Sequence, residues 1–129
     1  MDIETHKQIE FISSFVDESK RLKILFCLPE SAGDIFLSTS LLECLSSLYK
    51  DCVIYYACKP EYMDILKNNP FIYKIIPYVP VMEKQVIMEG TGEWRGLFDI
   101  SILPGILTQR CLNYLNNGIG KVAFKLKNY

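Results

Sequence analysis

The chain is predicted to fold as an α/β, Rossmann-like domain: a mainly parallel sheet in the order 3-2-1-4-5, with helices on both faces and one helix ahead of the first strand. Three observations lead there. Residues 22–28 form a nearly unbroken apolar run, which suits a parallel strand covered on both faces better than the alternation of a half-exposed one. A short loop containing Pro29 and Gly33 follows, and then Phe36, Leu37, Leu41, Leu42, Leu45 and Leu48 recur at helical spacing between polar residues. Further strand-like runs alternate with helix-like stretches, the pattern of parallel strands joined by crossovers.

The elements follow in order. In residues 1–20, Ile3, Ile9, Ile12, Phe15 and Val16 sit among charged residues at a spacing that makes an amphipathic helix, suited to packing on the domain or to docking a partner. Residues 21–129 form the Rossmann-like domain. The first strand, 22–28, leads to a helix with Asp34 at its N-terminus, where Asp is a good capping residue. A second strand spans 52–57, a helix with Pro at its first turn spans 60–67, and a third strand spans 73–76. The segment 77–97 has two early prolines and a Gly-rich end and is expected to be looser, with a short helix over 81–88. Its Trp94 anchors the loop or stacks on a sugar. A fourth strand over 98–103, a helix over 108–115 stopped by Asn116, Asn117 and Gly118, and a fifth strand over 121–126 complete the pattern.

Composition narrows the function. A length of 129 residues with 50% hydrophobic content supports one domain with a real core, not two. Fourteen Lys and Arg against 15 Asp and Glu leave a formal net charge of -1, so neither nucleic acid nor an anionic membrane is expected as a partner. The five cysteines are widely spaced with no C-x-x-C pair, which argues for free thiols in a reducing compartment and against a zinc or redox centre. With His6 the single histidine, a His-based triad or a multi-His metal site is excluded by count. The polar, acidic N-terminus lacks the character of a signal peptide and no apolar run spans a bilayer, so a cytoplasmic protein is expected.

In a doubly wound sheet, ligands bind at the carboxyl ends of the strands, where the order reverses between strands one and four. That places Glu30, Ser31, Asp34, Thr108, Gln109 and Arg110 around one crevice, with Lys59 and Glu61 added after strand two. The loop at 29–33 has one glycine and is neither a dinucleotide fingerprint nor a Walker loop, and no cofactor or metal is expected.

The order of short motifs resembles the N-terminal half of glycosyltransferase family 9, the ADP-heptose:lipopolysaccharide heptosyltransferase-like enzymes. The match runs through Gly33-Asp34, then Ile35, Phe36, Leu37 and Thr39; through Tyr49-Lys50-Asp51-Cys52-Val53-Ile54; and through Lys59-Pro60-Glu61-Tyr62. It continues through Asn68-Asn69-Pro70-Phe71-Ile72-Tyr73-Lys74-Ile75-Ile76-Pro77 and ends at Phe98-Asp99-Ile100-Ser101-Ile102-Leu103. Ser40 stands where the family usually has Pro, and Leu28 where many members carry Arg. The resemblance implies a GT-B architecture, of which the chain is the acceptor-side half. It implies that Asp34 is the general base of an inverting transfer, and it adds Gly33 and Thr39 to the substrate-binding set of Glu30, Ser31, Thr108, Gln109 and Arg110. The implied partners are a sugar or lipopolysaccharide-type acceptor and a donor domain, on the same or a second chain. Alone, the domain is expected to be inactive. Its rival readings are one subunit of a split glycosyltransferase and a non-catalytic binding or structural module.

Overall fold

The computed structural model describes residues 2–18 and 20–104. The helix predicted over 108–115 and the strand predicted over 121–126 lie outside them. The elements run α1 (Ile3–Ser13), β1 (Leu22–Cys27), α2 (Ala32–Leu48), β2 (Cys52–Cys58), a 3-10 turn (Pro60–Tyr62) leading into α3 (Met63–Leu66), and β3 (Lys74–Pro77). A second 3-10 turn (Pro80–Glu83), α4 (Gln85–Glu89), a hairpin of β4 (Gly90–Thr91) and β5 (Trp94–Arg95), and β6 (Ile100–Ile102) follow. Four strands form one all-parallel sheet in the order β3-β2-β1-β6, with Ile24 opposite both Ile54 and Ile100. This is the Rossmann-like arrangement expected for the first four strands.

The sheet is buried on both faces, which is why its central strands read as continuous apolar runs. Alternate residues divide between two cores. Leu25, Cys27, Val53, Tyr55, Ala57 and Ile76 face Ile12 of α1 together with Val81, Met82, Met88 and Phe98. Ile24, Phe26, Leu28, Ile54, Tyr56 and Cys58 face Ile35 and Leu42 of α2 and Leu66 of α3. Helix α2 is tied to its face by a buried hydrogen bond of 2.6 Å between the Ser38 and Tyr56 hydroxyls.

Helix α1 starts where Asp2 caps it, its Oδ1 accepting from the Thr5 N–H at 2.7 Å. Its exit is pinned to the sheet. The Asp17 carboxylate accepts hydrogen bonds from the Tyr73 hydroxyl and, at 2.9 Å, from Lys74 Nζ, which also donates to the Phe15 carbonyl at 3.1 Å. The Tyr73 hydroxyl first and Lys74 second hold the Asp17 carboxyl below its ordinary 3.8, and the bond to Asp17 raises Lys74 above its ordinary 10.5. A carboxyl depressed by folding contributes stability above its unfolded value and loses it as pH falls through the lower folded value; a raised amine contributes below its unfolded value and loses it as pH rises. Urea midpoints measured against pH are therefore expected to show Asp17→Asn weaker than wild type at neutral pH, with the difference shrinking as the pH falls below the ordinary carboxylate value and vanishing below the lowered folded one.

Segment 77–97 is more ordered than expected. Gly96 allows its return: a Cβ there would lie 2.3 Å from the Met88 carbonyl oxygen, so the strand leaving the hairpin passes directly over the end of α4.

Candidate functional site

The exits of β1, β2 and β3 stay side by side beyond the strands. Leu28 N–H donates to the Ala57 carbonyl at 3.0 Å, Lys59 N–H to the Pro29 carbonyl at 3.0 Å, and Tyr78 N–H to the Cys58 carbonyl at 2.9 Å. These bonds fix a rim at the carboxyl end of the sheet, where the first loop and the start of α2 meet the residues after β2. Glu30 leaves the first loop and meets Lys59 at 2.7 Å, an exposed ion pair that latches the two loops together. The bond to Glu30, ahead of the influence of Glu61, raises the Lys59 amine above its ordinary value.

Helix α2 begins earlier than the apolar spacing indicates. Ser31, in extended conformation, is the capping residue, and its carbonyl accepts the first helical bond, from Ile35 N–H at 2.9 Å. Asp34 therefore lies in the first turn, two residues after the first helical residue, and not at the capping position. Its carboxylate is exposed and accepts a long hydrogen bond of 3.4 Å from the Ser31 hydroxyl. Negative charge is favoured there by the N-terminal end of the helix dipole. Gly33 beside it has nothing within 4 Å of where a Cβ would be, so packing does not require glycine; the bare backbone leaves the start of α2 open to approach.

The fold thus assembles Glu30, Ser31, Gly33, Asp34 and Lys59 at one rim, with Glu61 in the 3-10 turn that follows. Thr39 is separate: it sits five residues further along α2, roughly 7.5 Å of helix rise, and its hydroxyl donates to the Phe36 carbonyl at 2.6 Å. Thr108, Gln109 and Arg110 lie outside the described residues. Two residues not singled out from the sequence join the rim. The Tyr78 hydroxyl donates to Glu83 at 2.7 Å, and burial first and Glu83 second push this phenol well above its usual range. The signal for its place at the rim was that Tyr78 follows the third strand directly, as Lys59 follows the second.

Cys27 and Cys58 are not nucleophiles of this site. Burial above all pushes Cys27 up to about 12 and Cys58 up to about 11, so both stay protonated at neutral pH. Cys27, Cys44, Cys52 and Cys58 are all free. Among the described residues no three His, Cys, Asp or Glu side chains gather as a metal site, and no helix is long and apolar enough to cross a membrane. The chemistry on offer is that of two exposed carboxylates at the carboxyl end of the sheet, Asp34 beside the Ser31 hydroxyl and Glu30 paired with the Lys59 amine.

No protein-family model, curated protein or solved structure matches this chain.

Proposed function

We propose that the chain is the acceptor-side domain of an inverting, heptosyltransferase-like glycosyltransferase of the GT-B type, inactive until a donor-binding domain completes it. The observation that carries this reading is Asp34: a solvent-accessible carboxylate in the first turn of α2, at the carboxyl end of β1, preceded by a glycine that packing does not require. In the proposed reaction Asp34 takes the proton from an acceptor hydroxyl as that oxygen forms a bond to the anomeric carbon of the donor sugar, and the bond from that carbon to the nucleotide breaks with inversion. Lys59 and Glu30 offer a charge pair that binds the hydroxyls or acidic groups of a sugar or lipopolysaccharide-type acceptor. Free, buried Cys27 and Cys58 suit the reducing setting of the cytoplasm.

A second reading, a non-catalytic module that binds a partner, is favoured by one feature. Leu37, Leu41 and Leu48 of α2 are 69%, 49% and 68% exposed along a helix whose opposite face is buried. The readings separate on ligand. Calorimetric titration of the chain with ADP- and UDP-sugars at millimolar concentration is expected to give no saturable heat, because the donor half is a different domain. Saturable binding would contradict the acceptor-side assignment.

A further inference from the structure

We draw no further inference here: the strongest candidate, the exposed apolar patch of Phe36, Leu37, Leu41 and Leu48 along the outer face of α2, carries nothing because nothing in the structure shows what covers it.

Discussion

Leu42→Ala is expected to lower stability by about 3 kcal/mol, within the roughly 2–5 kcal/mol range of buried leucine truncations, and to move the thermal midpoint by ten degrees or more. Leu42 is fully buried between α2 and the sheet, in the core that holds Ile24, Phe26, Ile54 and Tyr56. Its removal forfeits the transfer energy of the side chain and leaves a cavity that the rigid parallel strands cannot collapse into. Leu37→Ala and Leu48→Ala, on the opposite side of the same helix, are expected to change stability by no more than about 0.5 kcal/mol. Urea titrations of the three variants check the orientation of α2 directly. Equal losses at all three positions would mean that the outer face of α2 is packed within the chain too, and would remove the feature that favours the partner-bound reading.

The second large effect concerns chemistry. In an enzyme completed by a donor-binding domain, Asp34→Asn is expected to reduce transfer by a factor of roughly 10²–10⁴, since an amide cannot accept the acceptor proton. Stability should hardly change, because Ser31 and not Asp34 occupies the capping position and the Asp34 side chain is exposed. Single-turnover transfer by the reconstituted enzyme is the measurement. Wild-type activity of Asp34→Asn would leave the residue as a favourable charge at a helix end and remove it from the reaction.

What was legible in the sequence depended on how each element is buried. Strands β1 and β2 are covered on both faces, and such burial writes continuous apolar runs, so their positions and the order β3-β2-β1-β6 could be read from pattern alone. Strand β6 is shorter than residues 98–103, because Phe98 turns into the core and the Asp99 side chain accepts from the Lys23 N–H at 2.8 Å, ending regular pairing. The start of α2 was read late because Ala32 and Gly33 carry no periodic signal, and the capping role fell to Ser31. The hairpin of β4 and β5 has two residues per strand, too few for any alternation, and depends on Gly92 at φ +52 and the close approach at Gly96. At the site, the cluster of Glu30, Ser31, Gly33 and Asp34 followed from sheet topology, since every carboxyl-end loop of a parallel sheet opens on the same side. The Tyr78–Glu83 contact was not legible: it depends on the path of a 3-10 turn through a segment with no periodicity.

The central claim is that the rim around Asp34 receives an acceptor sugar, and titration of the isotopically labelled chain with a soluble lipopolysaccharide-core oligosaccharide tests it most directly. Saturable amide shifts concentrated at residues 31–34 and 59, and absent when an ADP-sugar is added instead, are the predicted result. Shifts confined to the outer face of α2, or a rim that stays silent while the nucleotide sugar binds, would contradict it.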